Sequence, residues 1–564
     1  MGKQKRHNTI TFKPYSQNQG WLFPPTLGQM IPEHHKVRLV NDAIEGMDID
    51  PIISSYEGGG TSSYHPKMLL KVLVYGYTEK IYSSRKLEKA LQENVCFMWL
   101  AGMQQPDHNT INTFRRHRLN NTIKEVFAQV LLLLIEQGYV KLEDYYVDGT
   151  IMESVANRYT FVWDKNVKRY KASLLEKIAE LISYIEHTNE KELKPKQTNE
   201  QTQVLNKDEP KVSDSEALKE TINRLNESLA SSTQPEKEIK KKRTRLKHLK
   251  NKHLPKLEGY EKQETILNGR SSYSKTDVDA TFMRTKDDHL RNGQVRACYN
   301  IQIGTEDQFI INYTTHQTPS DKFIFIDHMN DTKGLLNSIG ANKLENIIAD
   351  GGYGSEENYG YLEEEEFNAY VKYPGYYKQQ KGNKFKNPFD VRTLYYNEDQ
   401  DVYICPMGQH MMHVGTKERE TKTGRVRHLD LYSASNCNNC PLKGRCTKAK
   451  GNRIIEVNHK NRKYQTKARQ LLTSEQGRIK SKKRSIDVEP VFGQIKESRG
   501  FKRFMLTTLE GVEIETALLS IAHNFVKLQI QKENERTGPP KRKSNKSKPP
   551  RNPRNEQNSS SKAA

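Results

Sequence analysis

The chain has 564 residues, 34% of them hydrophobic and 28% charged, and its 91 Lys and Arg outnumber 69 Asp and Glu for a formal net charge of +22. The length allows two to four domains, but the low apolar fraction means that much of the chain is surface, extended helix or tail. Six cysteines in so long a chain rule out a disulfide framework, and no apolar run nears the ~18 residues that span a bilayer.

The N-terminus, Met1-Gly-Lys-Gln-Lys-Arg6, lacks the apolar stretch of a secretory signal. The expectation is a soluble, intracellular protein with no membrane partner. Lys and Arg clustered in separate segments, together with a basic tail, point to a polyanion, and double-stranded DNA is the first candidate.

Residues 1–55 carry no evident chemistry. His7–Pro14 reads as a short strand, and the stretch near Val37–Gly46 as a helix. Residues 64–136 read as helical throughout: Pro66 opens one helix and Ser83-Ser84-Arg85 the next. Pro106-Asp107-His108-Asn109-Thr110 forms a turn and cap for a third. Arg115, Arg116 and Arg118 follow in its second turn, where they suit a recognition helix or a phosphate clamp. A bundle with a basic polar face fits those arginines equally well. Leu131–Ile135, the longest apolar run, reads as a buried helix segment.

Asp144–Thr150 reads as a strand, with Asp148 ending the apolar run Tyr145-Tyr146-Val147 before Gly149. A second strand follows from Tyr159. Residues 165–262 show apolar residues at spacings of three and four around a charged, apolar-poor stretch, Glu190–Asp214. They read as a helical hairpin or coiled-coil arm, a spacer in the plain reading, with DNA contact by Lys240–Arg245 as the alternative.

Asp277, Asp279, Asp287 and Asp288 are rival ligands in a polar loop, read as capping and orienting groups. Val295–Ile303 and Phe309–Thr315 alternate as strands. His316–Asp321 is a turn capping a helix over Phe323–Leu336. Asn346–Ala349 is a strand that delivers Asp350 to Gly351-Gly352-Tyr353-Gly354, and after a further helix Phe367–Val371 is the last strand of a mixed sheet.

Cys405, Cys437, Cys440 and Cys446 have the spacing of a structural Zn²⁺ site with four thiolate ligands, around a hairpin-like stretch Val414–Tyr432. A metal-free cluster is the other reading. Cys96 and Cys298 read as buried thiols. Arg484–Lys496 reads as one amphipathic helix with Val488, Phe492 and Ile495 on a face. Glu489 and Lys496, seven residues apart, share another. Ile514–Leu528 is a packed terminal helix, and from Gln531 onward the chain reads as a disordered basic tail.

Taken singly, each acid has a plain explanation: Glu489 as a solvated ion-pair partner, Asp148 as a turn former. Taken together, three carboxylates on three elements suit hard divalent ions. Phosphodiester chemistry needs in-line attack, and two Mg²⁺ about 3.5–4 Å apart stabilise the attacking and leaving oxygens. In that reading Asp148 bridges the ions, Asp350 and Glu489 each complete one, and Lys496 faces a phosphate.

With these blocks the chain resembles the DDE transposases of bacterial insertion sequences, in the group whose Glu helix carries a Tyr–Arg–Glu–Lys signature. The likeness rests on Tyr145–Thr150 with Asn157–Trp163, on Ile347–Gly354, and on Arg484–Lys496 with Arg499-Gly500-Phe501. It covers about residues 60–530. Pro66–Arg118 resembles the helical DNA-binding domain of such proteins, and the Cys-rich segment resembles one subgroup. The departures are Arg484, five residues before Glu489 rather than four, and Lys482 in the usual Tyr position.

The resemblance implies an α/β fold: an RNase H-like mixed sheet with flanking helices, preceded by an all-α DNA-binding domain and interrupted by a helical arm and a Cys-rich insert. The expected division is 1–136 for the DNA-binding domain, 137–164 and 266–375 for the first two parts of the catalytic core, 165–265 for the arm and 376–470 for the Cys-rich insert. The Glu helix and packing helix take 471–530 and the tail 531–564.

The resemblance also implies Asp148, Asp350 and Glu489 as catalytic ligands of Mg²⁺ or Mn²⁺, with Arg115, Arg116, Arg118, Arg484 and Lys496 on DNA. The implied activity is cleavage at the terminal inverted repeats and strand transfer to target DNA, by a homodimer or larger synaptic complex. An inactive or domesticated DNA-binding copy is the rival reading, and a nuclease with the same core a third.

Overall fold

The computed structural model describes residues 22–56, 62–190, 212–231, 235–285, 293–341, 343–380, 387–421 and 424–538. The strand expected at His7–Pro14, most of the linker Glu190–Asp214, Asp287, Asp288 and the tail beyond residue 538 lie outside them.

The N-terminal part is helical, as Lys36–Glu45, Pro66–Thr78, Ser84–Glu93, Val95–Leu100, His108–Thr113 and Ile123–Glu136. Pro66 takes the first helical position, where its missing N–H costs nothing, and His65 Nδ1 accepts from Lys67 N at 3.1 Å. Asp107 caps the fifth of these helices by accepting from Thr110 N at 2.8 Å. Its continuation Phe114–Arg118 widens into a π-helical turn.

The strands of the main sheet are β1 (Asp144–Glu153), β4 (Thr281–Arg284), β5 (Val295–Glu306), β6 (Phe309–His316), β7 (Asn346–Ala349) and β8 (Asn368–Val371). Between β1 and β4 the chain forms a small separate pair, β2 (Phe161–Trp163) with β3 (Ser272–Ser274). The main sheet has the order β4-β5-β1-β7-β8, with β6 on β5. It is mixed: β7 runs parallel to β1 and β8, while β5 runs antiparallel to β1, β4 and β6.

Four backbone N–H groups at the start of β1, from Lys141 to Asp144, donate to the single carboxylate of Glu306 at 2.7–3.0 Å. That contact ties the beginning of β1 to the end of β5.

The arm leaves from β2 and returns to β3. It has more helices than a hairpin: Asp164–Glu190, Ser215–Ala230 and Glu236–His248, the last running through a π-turn, Leu249–His253, into Leu254–Leu267. Ile178, Ile182, Ile185, Leu218, Ile222, Leu225, Leu246 and Leu249 form its own core. The basic run hides a helix because Lys242, a charged residue, takes an inward position between Ile239 and Leu246.

A second, all-antiparallel sheet occupies the Cys-rich region. Its strands are β9 (Tyr395–Asn397), β10 (Val402–Ile404), β11 (His410–Glu420), β12 (Val426–Ala434) and β13 (Ile454–Val457). Tyr403, Met411, Tyr432, Ile455 and Val457 are its core.

The glutamate helix begins earlier than expected, at Glu475, and runs to Gly493 before a π-helical turn, Gln494–Ser498. Its inward residues are Arg484, Asp487, Val488, Val491 and Ile495, and Phe492 is only half-buried. Pro490 lies inside it and has no N–H to offer the carbonyl one turn back. That carbonyl, of Ile486, accepts from Gln308 Nε2 at 2.9 Å instead. Asp487 Oδ1 accepts from Thr305 Oγ1 at 2.7 Å and Gln308 N at 3.1 Å, so the helix is pinned to the β5–β6 turn.

The terminal helix runs from Leu509 to Thr537. The expected tail therefore begins later than Gln531. Residues 531–537 favour helix, Tyr139 Oη donates to Glu535 Oε2 at 3.1 Å, and the helix stops at Gly538 with φ of 76°. The helix also carries the fully buried Glu515. Its carboxylate accepts from Tyr77 Oη at 2.8 Å and from the backbone of Met505 and Leu506 at 2.7 and 2.9 Å, and Arg115 Nη1 lies 3.8 Å away.

Removing Glu515 leaves Arg115 and two N–H groups buried without it. Glu515→Ala is expected to cost about 3–5 kcal/mol, read as a lower urea midpoint of the full chain.

Candidate active site

Asp148 is the fifth residue of β1, and Asp350 follows the last residue of β7. The parallel register pairs Val147 with Ala349, so the two aspartates leave neighbouring strands side by side, about one strand spacing of ~4.8 Å apart. The glutamate helix crosses above them and brings Glu489 from the third side.

The three acids meet at Arg484. Its guanidinium lies 2.7 Å from Glu489 Oε1, 3.5 Å from Asp148 Oδ2 and 3.7 Å from Asp350 Oδ2. Burial opposes its charge, but the carboxylates, Asp148 foremost, outweigh that and hold its pKa above the ordinary arginine value. Arg484 Nε is buried with no hydrogen-bond partner. The side chains grade outward, from Arg484 at 7% exposed and Asp148 at 18% to Asp350 at 45% and Glu489 at 52%. The outer two acids are therefore open to a ligand. A cavity of about 480 Å³ opens beside them, lined by Asp350, Lys372, Tyr376, Tyr377, Arg484 and Glu489 among others.

Beneath the aspartates lies a polar layer that sequence reasoning missed. Asp321, in the first turn of the helix Asp321–Ser338, accepts at Oδ1 from Asn300 Nδ2 at 2.9 Å and Gln302 Nε2 at 3.0 Å. Gln302 in turn accepts from the Tyr353 hydroxyl. Tyr353 is fully buried, and burial, then Asp321, Asp148 and Asp350, push its hydroxyl pKa well up. In the sequence, Asp321 after Pro319-Ser320 looked only like part of a helix cap. Gln302 on an alternating strand gave no signal at all.

Gly149 is explained by this layer. A Cβ there would stand 2.1 Å from Gln302 Nε2 and 2.8 Å from Asp321 Oδ1.

The other expected residues are placed as follows. Lys496 Nζ donates to Ile151 O at 2.9 Å and so braces β1. Arg115 is buried and donates to Tyr82 O at 2.9 Å and Asn112 Oδ1 at 3.0 Å. It joins the helices internally and does not present itself to DNA. Arg118 lies over the Tyr56 ring at 4.3 Å and donates to Ser55 O. Arg116 is the exposed one of the three.

Asp277 is buried and accepts from Ser154 Oγ at 2.6 Å, Tyr299 Oη at 2.9 Å and Thr508 N at 3.1 Å. Asp279 accepts from Leu509 N at 3.0 Å. Both orient the chain ahead of the terminal helix.

Residues 404–529 match the family described as Transposase DDE domain, and residues 25–117 match the family described as Transposase domain (DUF772). Both matches support an insertion-sequence DDE transposase. No curated protein matches it significantly. The first match contains Arg484, Glu489 and all four clustered cysteines, and the second contains Arg115 and Arg116. Asp148 and Asp350 lie outside both, so their place beside Glu489 rests on the geometry. No helix among the described residues is long and apolar enough to cross a membrane.

The DDE family generally uses a divalent metal. Among the described residues no group of three or more His, Cys, Asp or Glu is gathered closely enough to hold one. The donor types still suit a hard cation, since three carboxylates face the one guanidinium of Arg484. Arg484 stands there as the resident positive charge.

Cys405, Cys437, Cys440 and Cys446 are free thiols that line one cavity of about 20 Å³. The backbone N–H groups of Met407 and Arg453 donate to the Sγ of Cys405 and Cys437, each at 3.4 Å, and Arg453 Nη1 donates to Cys446 Sγ at 3.1 Å. Cys298 is buried and its thiol pKa is pushed up to about 12 by burial, while Cys96 is half-buried.

Gly149→Ala forces the Gln302 amide and Asp321 apart. It is expected to cost about 1–3 kcal/mol by urea titration, while the same substitution at Gly138, which has nothing within 4 Å but a φ of 76°, costs about 1 kcal/mol.

Proposed function

We propose that this transposase binds the terminal inverted repeats of its own element, cleaves there, and joins the ends to target DNA as a dimer or larger synaptic complex. The observation that carries this is the meeting of Asp148, Asp350 and Glu489, from two strands and a helix, at a single cation. The strand order and the returning helix are compatible with an RNase H-like core.

Divalent ions held by Asp148, Asp350 and Glu489 would supply Lewis-acid stabilisation of the attacking and leaving oxygens. The protein's own groups set the stage. β1 and β7 fix two carboxylates at one spacing, and Arg484 offsets one of the three negative charges. Lys372 lines the adjoining cavity, where a phosphate would meet positive charge. Arg116 remains the exposed candidate for end recognition in the helical N-terminal part, while Arg484 and Lys496 act inside the core.

The test is a Mg²⁺-dependent cleavage and joining assay on a plasmid bearing the element's ends, with a mobility shift on the same DNA. Wild type is expected to cut and join. Glu489→Ala is expected to bind the same DNA and lose at least ~1000-fold in rate. If both proteins bind and neither cuts, the chain is a DNA-binding protein and the triad has no catalytic meaning. Cleavage without joined product makes it a nuclease.

For the Cys-rich insert we read the four thiols as a closed structural zinc site, supported by their shared cavity and the N–H groups aimed at their sulfurs. Purified full chain is expected to carry about one zinc per chain by elemental analysis. Cys440→Ser is expected to lose that zinc and to open the β11–β12 hairpin to protease. Zinc-free wild type with the same protease resistance would remove this reading.

A further inference from the structure

The arm carries a surface that the reaction chemistry does not use. Ten Lys and Arg fall between Lys237 and Lys256 against one acid, Glu238. Elsewhere on the arm four ion pairs form. Lys171 meets Glu264 at 2.7 Å, Lys219 meets Glu258 at 2.7 Å, Arg224 meets Glu186 at 2.9 Å and Lys168 meets Asp164 at 2.9 Å. The helix Glu236–His248 and the π-turn after it do the opposite. Among the described residues, no ion pair joins Lys240, Lys241, Arg243, Lys247, Lys250 or Lys252 to a carboxylate.

Their arrangement is ordered. Lys242, Leu246, Leu249 and His253 are buried, spaced by three or four, and lock this face onto the arm's core. Lys240, Arg243, Lys247 and Lys250 are exposed at the same spacing, which sets them in a second row about 100° round the helix from the buried one. Arg245 is held over the Tyr184 ring at 3.6 Å on one flank. From Lys240 to Lys250 the stripe covers about 15 Å along the axis. A row of like charges this dense repels itself, and a solvated face gains nothing from excluding every acid across it. Over the same length, duplex DNA offers one phosphate charge per ~1.7 Å.

We propose that this face of the arm is a sequence-independent clamp for the phosphate backbone of double-stranded DNA, away from the cleavage site. The inference rests on the transposase reading for its partner. Other proteins with an acidic face are the alternative occupant, and the stripe's regular spacing along the helix and into its π-turn favours the duplex. The arm leaves the core through the β2–β3 pair, so contact there adds affinity without touching the catalytic residues.

The experiment measures binding of the full chain to a labelled random-sequence duplex of about 30 base pairs by anisotropy, from 50 to 200 mM salt. The variant replaces Lys240, Arg243, Lys247 and Lys250 with Gln, a residue of similar helix propensity. The expected result is a plot of log affinity against log salt that is shallower by about 3–4, close to one unit per lost phosphate contact, and binding at least ~10-fold weaker at 100 mM. A companion with Lys240, Lys247 and Lys250 changed to Arg keeps the charge and is expected to bind as wild type. An unchanged slope in the Gln variant overturns the clamp. So does equal loss in the Arg variant, which would trace the effect to a disturbed arm. If wild type itself ignores duplex DNA, the transposase reading falls and the clamp with it. If wild type binds and cuts and the Gln variant matches it, only the clamp falls.

Discussion

Three carboxylates cannot share a few ångströms without a cation. Two like charges 4 Å apart repel by about 4 kcal/mol at an effective dielectric of 20, and a third multiplies the problem. Arg484 resolves it from within the chain, and the fold is arranged to bring it there. β7 must lie beside β1 in parallel register so that Asp148 and Asp350 emerge together. The glutamate helix must then return across β1 from more than a hundred residues later in the sequence. Gln308 and Asp487 hold that helix at the β5–β6 turn, about one turn before its proline. Lys496 and Arg503 hold the following segment to the far end of β1, through Ile151 O, Ser154 O and Ala156 O.

The floor under the site is polar, which is costly unless every group is satisfied. Asn300, Gln302, Asp321 and Tyr353 satisfy one another in a closed network. Other buried polar side chains of the sheet are also linked, although Asn312 Oδ1, Tyr313 Oη and Thr315 Oγ1 are buried without a hydrogen-bond partner among the described residues. Tyr145 Oη meets His328 Nε2 at 2.9 Å and Thr332 Oγ1 at 3.0 Å, and Asn312 Nδ2 meets Asp331 and Thr332 at 2.8 and 2.9 Å. Burial drives the His328 pKa well below its usual value, so it serves as a neutral link. A core so joined has fewer ways to repack than an apolar one, and the spacing of the aspartates is correspondingly fixed.

What the sequence disclosed was local. Asp148 and Asp350 stood out as candidates because each follows a short apolar run and precedes glycine, and Glu489 because it sits among apolar residues at helical spacing. The strands and helices from β5 to β8 also followed from pattern alone. What escaped depended on distant partners. Asp321 resembled a cap, and Gln302 an ordinary strand residue, until the sheet placed them under Gly149. Arg115 carried the same charge as its neighbours, and only Glu515, some 400 residues on, turns it inward. The arm's third helix was masked by its own charge because the inward Lys242 broke the apolar pattern. The terminal helix outran its apolar stripe, since helix propensity alone carries its last turns.

The β2–β3 pair has a consequence for how such a chain tolerates change. Phe161, Val162 and Trp163 lie opposite Ser274, Tyr273 and Ser272. Val162, Val167, Leu267 and Tyr273 seal the place where the arm begins and ends. The two ends of roughly a hundred residues are thus fixed one strand spacing apart. The main sheet registers only that neck, not what lies beyond it. An arm can grow, shrink or be exchanged for another with the same footing, and neither Asp148 nor Asp350 would shift. The device separates the part of the molecule that must be conserved in geometry from the part free to vary in reach.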